Sequence, residues 1–193
     1  MRHPVVYLSS QSFLSILFAA VDTGKRECLG IMFGREDNRS GSKLIIQHVC
    51  AIQSVSRRTP CSTEQSQASH LRIQKMIACA PRAFNFIGYF HSHPQWSAKE
   101  KHYPMPSKSD LQSCLDVESK VEIIVDIGRT KDGYPWLVRE GGAVVGRVAN
   151  WRFVLHAYRA YRDGDRIVSE QLKLRVDPHV FLTLRHPKVP TVH

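Results

Sequence analysis

The stretch Asn85-Phe86-Ile87-Gly88-Tyr89-Phe90-His91-Ser92-His93-Pro94 constrains this chain more than any other. Asn85 to Tyr89 read as a buried strand. On a strand, side chains at i and i+2 share a face, so His91 and His93 project together from the strand end while Ser92 turns away. Two adjacent imidazoles form half a site for a borderline-soft divalent metal, Zn2+ first. Farther on, Pro106-Ser107-Lys108-Ser109-Asp110 reads as a helix start. Ser107 at the N-cap with Asp110 three positions later is a capping-box spacing, Asp standing in for Glu or Gln. That carboxylate could supply a third ligand. Two His, one Asp and one open position describe a catalytic zinc, since a structural zinc has all four places filled by protein.

Either half alone is more often two ordinary histidines or a plain helix cap. Together they resemble the motif of the JAMM (MPN+) metalloproteases, a Glu far upstream followed by His-x-His-Pro and Ser-x-x-Asp. The upstream part is present as Glu27-Cys28-Leu29-Gly30-Ile31-Met32-Phe33-Gly34, similar to the family's Glu-x-x-Gly-x-Leu-x-Gly segment. The resemblance covers roughly residues 4 to 150. It implies an α/β fold, a curved mixed sheet flanked by helices (an MPN/JAB domain, cytidine-deaminase-like), ending in a β-hairpin. It implies one zinc held by His91, His93 and Asp110. Zinc lowers the pKa of a bound water from about 15.7 to about 7. Glu27 would take that water's proton and return it to the leaving amine. Ser107 would cap its helix and stabilise the oxyanion.

The implied reaction is peptide or isopeptide hydrolysis after the C-terminal glycine of ubiquitin or a ubiquitin-like modifier. The substrate tail is expected to be extended and laid along a sheet edge as an added strand. Such a compact chain resembles bacterial or archaeal members, some of which work beside ubiquitin-like conjugation enzymes, including in antiviral defence against phage. The sequence departs from the family pattern in one place. Thirteen residues separate His93 from Ser107, more than is usual. A longer loop is expected beside the metal, with Trp96 or Tyr103 as candidates for holding a substrate tail.

Composition narrows the alternatives. The chain has 193 residues, 42% of them hydrophobic, and a formal net charge of +10. The basic balance favours acidic partners. The charge is dispersed, however, with no long Lys/Arg run, zinc-finger spacing or RNA-binding aromatic signature, so nucleic acid is not expected as a partner. The five cysteines (Cys28, Cys50, Cys61, Cys79, Cys114) are odd in number and form no Cys-x-x-Cys. Reduced thiols in a cytoplasmic protein are the simple reading. Arg2 with Phe13 to Ala20 loosely mimics a signal peptide, but Pro4 and Ser9 to Ser12 interrupt it. No apolar run reaches the ~20 residues of a membrane-spanning helix.

One domain is expected over residues 1–176, with a core of about 4–150, a hairpin of about 151–176 and a loosely held tail over 177–193. Helices are expected near Phe13 to Val21, buried on most sides, at Glu64 to Ala80, with a stripe of Ala68, Leu71, Ile73, Met76 and Ile77, and from Ser107. Arg57 to Thr63 reads as a polar connection. Asp132-Gly133 predicts a hairpin between Val121–Ile127 and Trp136–Arg139, and Asp163-Gly164 another between Phe153–Tyr161 and Ile167–Val176. Gly141-Gly142 marks a turn. Three other functions share or evade these motifs: a JAMM hydrolase releasing a small adduct from a sulfur-carrier protein, a catalytically silent MPN scaffold, and a basic nucleic-acid-binding protein.

Overall fold

The strand β7 (Val121–Arg129) is buried from Val121 through Gly128. Such a strand needs long partners on both edges and cover on both faces. The computed structural model describes residues 4–37, 43–59, 63–79, 85–95, 105–132 and 135–184, without the side chains of 57, 58, 63 and 64. One partner of β7 is β6 (Asn85–Gln95), in parallel; the other is β10 (Trp151–Asp163), antiparallel. The strands before them are β1 (Val5–Leu8), β2 (Leu29–Asp37), β3 (Lys43–Ala51), β4 (Val55–Arg58) and β5 (Thr63–Gln65). After β7 come β8 (Leu137–Val138) and β9 (Val144–Val148), and after β10 comes β11 (Arg166–Val176). The helices are α1 (Ser10–Thr23), α2 (Gln67–Cys79), α3 (Lys108–Asp116) and α4 (Pro178–Leu184).

The large sheet runs β11-β1-β3-β2-β6-β7-β10-β9-β8. It also closes on itself. β11 pairs with β10 as far as Leu172 and passes to β1 at Lys173. The result is the mixed, curved sheet with flanking helices expected from the sequence. The C-terminal hairpin turns at Gly164, which has φ of 59°, where glycine carries no Cβ penalty. The hairpin expected at the end of the domain lies inside the sheet, because β10 supplies the long second edge that buried β7 requires.

The other hairpin expectation fails. The segment after Asp132 does not return along β7; β8 pairs with β9 at the far edge. A two-residue strand cannot satisfy the edge of β7, and Trp136 is drawn elsewhere. Its ring stacks on Phe181 at 5.7 Å and meets Phe13 edge-on at 5.0 Å. Gly133 lies outside the described residues. Phe181 belongs to α4, so Pro178–Leu184 form a docked helix with Val180 buried where a loose tail was expected, and residues 185–193 lie outside the described residues.

α1 begins where Ser9 accepts the Ser12 N–H at 3.1 Å, one of the donors every helix start leaves open. Phe13, Ile16, Leu17 and Ala20 are buried. Phe18 is 68% exposed, so this helix buries one face instead of most sides. α2 starts three residues later than expected because Glu64 is taken into β5. The expected polar connection is a small β4–β5 hairpin. Of the expected α2 stripe, Leu71 and Met76 are exposed, while Ile73, Met76 and Ile77 face a groove against β2 and β3.

Gly30 sits where a Cβ would enter the Phe90 ring and lie 2.8 Å from the Cys50 carbonyl oxygen. Phe90 is fully buried and cannot move aside without opening a gap. Gly30→Ala is therefore expected to destabilise the fold by about 1–3 kcal/mol, the usual range for overpacking. Urea unfolding measures it, and an unchanged midpoint would contradict the packing argument.

Candidate metal centre

β6 continues through Pro94 to Gln95, so His91 and His93 lie within the strand instead of at its end. The open flank explains the proline. β2 reaches only to Leu29 opposite His91, with one further bond from the Ser92 N–H to the Cys28 carbonyl at 3.1 Å. Among the described residues no strand follows on that side, and a missing N–H is tolerated at such an edge. Ser92 faces away from the histidines and is fully buried. Its Oγ accepts the Cys28 N–H at 2.9 Å, which ties the residue after Glu27 to the strand that carries both imidazoles.

α3 brings the third group. Ser107 Oγ accepts the Asp110 N–H at 3.2 Å, and the Ser107 N–H donates to Asp110 Oδ2 at 2.7 Å, completing the capping box. Ser107 Oγ also lies 2.7 Å from Ser109 Oγ. Asp110 Oδ2 is 3.9 Å from His91 Nε2. His91, His93 and Asp110 thus offer three ligand atoms within 4.8 Å of one another. Glu27 enters from the start of β2, its Oε1 4.0 Å from His93 Nε2, and is 7% exposed. All five residues singled out from the sequence are described. Trp96, Glu100, His102 and Tyr103 lie outside the described residues. Glu36, farther along β2, pairs instead with Lys120 at 2.6 Å.

Two residues that sequence reasoning passed over complete the surroundings. Glu122 Oε1 lies 2.9 Å from His91 Nδ1, and Asp126 Oδ1 lies 3.8 Å from His93 Nδ1. Carboxylates at both Nδ1 atoms favour protons there, so that each ring, when neutral, keeps its lone pair on Nε2. Those Nε2 atoms face each other at 2.9 Å. Two lone pairs that close repel, so either a proton on one Nε2, shared as a hydrogen bond, or a metal cation must lie between them. This donor set, with carboxylates behind the imidazoles, fits a divalent metal.

A family model described as "JAB1/Mov34/MPN/PAD-1 ubiquitin protease" matches residues 2–114, which include Glu27, both histidines, Ser107 and Asp110. The chain belongs to this family. A mouse protein described as "Lys-63-specific deubiquitinase BRCC36-like" is 25% identical over 132 residues. That alignment takes in 55% of this chain and 45% of the mouse protein, so the chain spans less than half of that relative's length. The solution structure of protein DSY2949 from Desulfitobacterium hafniense shares the fold, with a TM-score of 0.52 and 16% identity. It covers 90% of this chain and 94% of its own.

The electrostatics of this JAB/MPN site follow from burial among carboxylates. Burial raises the Glu27 carboxyl from 4.5 to about 7, with His91 opposing and Asp110 adding to the rise. For His91, burial disfavours the charged ring, but the Glu122 hydrogen bond and the charges of Glu122, Asp110 and Glu27 outweigh it and raise the ring to about 9. Burial also pushes up the Cys114 thiol, whose Sγ lies 3.3 Å from Glu122 Oε2. A metal requires neutral imidazole. At pH 7.5 zinc uptake by the metal-free protein is therefore expected to release about one proton, from His91. Calorimetry in buffers of different ionisation enthalpy reads that number as a slope; a slope of zero would contradict it.

The four described cysteines form no disulfide. No described helix is long and apolar enough to cross a membrane.

Proposed function

We propose that this chain is a zinc-dependent isopeptidase that cuts after the C-terminal glycine of a ubiquitin or ubiquitin-like modifier. One zinc, held by His91, His93 and Asp110, would act as a Lewis acid and lower the pKa of water bound to it. Glu27 takes the proton of the attacking water and passes it to the leaving amine. The observation that carries this role is a buried carboxylate 4.0 Å from a ligand imidazole, with its pKa raised to about 7. A general base works best when its pKa lies near the operating pH. Ser107 donates its hydroxyl to the carbonyl oxygen as charge develops there. Its place beside Asp110 at the start of α3 supports that role.

The modifier as substrate is supported by the family's description and by the mouse relative's name. Its conjugates and the enzymes that make them are the proposed partners, in the cytoplasm. A role in defence against phage is proposed by analogy with compact prokaryotic members.

The test uses zinc-loaded protein and two substrates. One is a ubiquitin-like protein joined through its terminal glycine to a lysine of a reporter peptide. The other is a sulfur-carrier protein bearing a single amino acid. Cleavage of the first, absent in Glu27→Gln, supports the reading. Release of the amino acid alone would replace it with the small-adduct hydrolase. Turnover of neither by a zinc-loaded protein would favour a silent scaffold.

A further inference from the structure

Asp126 has a second histidine beside it. Its Oδ2 lies 3.8 Å from Nε2 of His156 on β10, while its Oδ1 faces His93. Both side chains are well buried, at 13% exposure for His156 and 4% for Asp126. On the far side of His156, the Gln171 Nε2 amide on β11 lies 3.4 Å from His156 Nδ1 and donates to the Gly141 carbonyl at 3.0 Å. A carbonyl can only accept, so the Gly141 contact fixes which way the amide points. The nitrogen that reaches His156 is then a donor, and Nδ1 must accept. The neutral ring therefore carries its proton on Nε2, toward Asp126.

We infer that His156 is a positioning residue of the metal centre, oriented by Gln171 and acting through Asp126 on His93. The order of groups is Gly141 carbonyl, Gln171, His156, Asp126, His93. Hydrogen bonds fix the polarity as far as His156; from there charge carries the influence through Asp126, and the chain ends by favouring a proton on His93 Nδ1 and a lone pair on Nε2. The separations at Asp126 exceed hydrogen-bond length, so Asp126 acts there at ion-pair range. His156 also stacks on Tyr158, with ring centroids 6.0 Å apart, which limits its rotation. Asp126, His156, Tyr158 and Gln171 come from β7, β10 and β11, beyond residue 114 where the family match ends. The C-terminal hairpin is thereby part of the metal centre's support as well as of the sheet.

This inference rests on zinc binding at His91, His93 and Asp110. The test is zinc affinity by chelator competition, with the visible spectrum of the cobalt(II)-loaded protein as a second readout. His156→Ala is expected to weaken zinc binding about tenfold, the lower end for partners behind metal ligands, and to shift the cobalt bands. His156→Gln, which keeps an N–H donor, is expected to recover most of that loss. Gln171→Leu is expected to act in the same direction but less. Thermal melts of the metal-free variants identify a folding defect. If His156→Ala does not fold, Gln171→Leu decides, because it leaves both His156 and Asp126 in place. Unchanged affinity and unchanged cobalt spectra in the folded variants would overturn the inference while leaving the zinc site standing. Wild-type protein that takes up neither metal would overturn both.

Discussion

Glu27→Gln is expected to lower hydrolysis by about 10²–10⁴-fold, the usual contribution of a positioned acid–base group, with zinc content unchanged. The substitution keeps the shape of a side chain that is 7% exposed but can no longer accept a proton. The same variant makes a second prediction in metal-free protein. Burial lifts the Glu27 carboxyl from 4.5 to about 7, so the folded state holds that proton more tightly than the unfolded state does. Its stabilising effect is full below the unfolded value, fades as pH rises, and is gone above about 7. Gln does not titrate. In chelator-treated samples, wild type should therefore lose melting temperature relative to Glu27→Gln between pH 4.5 and 7. Parallel melting curves would remove the case for a poised base. Lost activity together with lost zinc would show that Glu27 serves the metal and not the proton.

Glu122→Ala is expected to weaken zinc binding by about 10- to 100-fold. Its carboxylate lies 2.9 Å from Nδ1 of His91, a ligand in the proposed site, which is 5% exposed. Removing it leaves a buried N–H without that acceptor and lets the ring turn or change tautomer. Cys114, on the other oxygen of Glu122, is too weak an acceptor to replace it. Glu122→Gln separates the two contributions. Its amide oxygen can still accept from Nδ1, so a small loss means orientation dominates. A loss as large as that of Ala means the negative charge does. Affinity within twofold of wild type in both variants would place Glu122 outside the metal's influence.

These two residues differ in how far the sequence announces them. Glu27, His91, His93, Ser107 and Asp110 stand in local patterns: alternation along one strand, a capping box, and an acidic residue before a glycine-bearing strand. Such patterns survive without knowledge of the fold. Glu122 and Asp126 matter because β6 and β7 run parallel, with His93 opposite Asp126, and nothing local sets that pairing. A signal existed even so. Two carboxylates four apart in an otherwise aliphatic strand share one face, and buried carboxylates need partners. The Asp132-Gly133 signal misled for the converse reason. A turn preference worth little was overruled by the length of edge that β7 had to cover. The docked α4 was hidden similarly, since Phe181 finds Trp136 only in the assembled core.

Val5 pairs with Lys173, and Leu8 with Val176, so strands at nearly opposite ends of the described chain lie side by side. Contacts of such long sequence separation are slow to form, because the intervening chain must be ordered first. On a ribosome, residues 91, 93 and 110 would emerge well before the strand that closes the ring. The newborn chain would then hold the two histidines of the proposed metal site before their final surroundings exist. Capture of metal would come late, as a last act of folding.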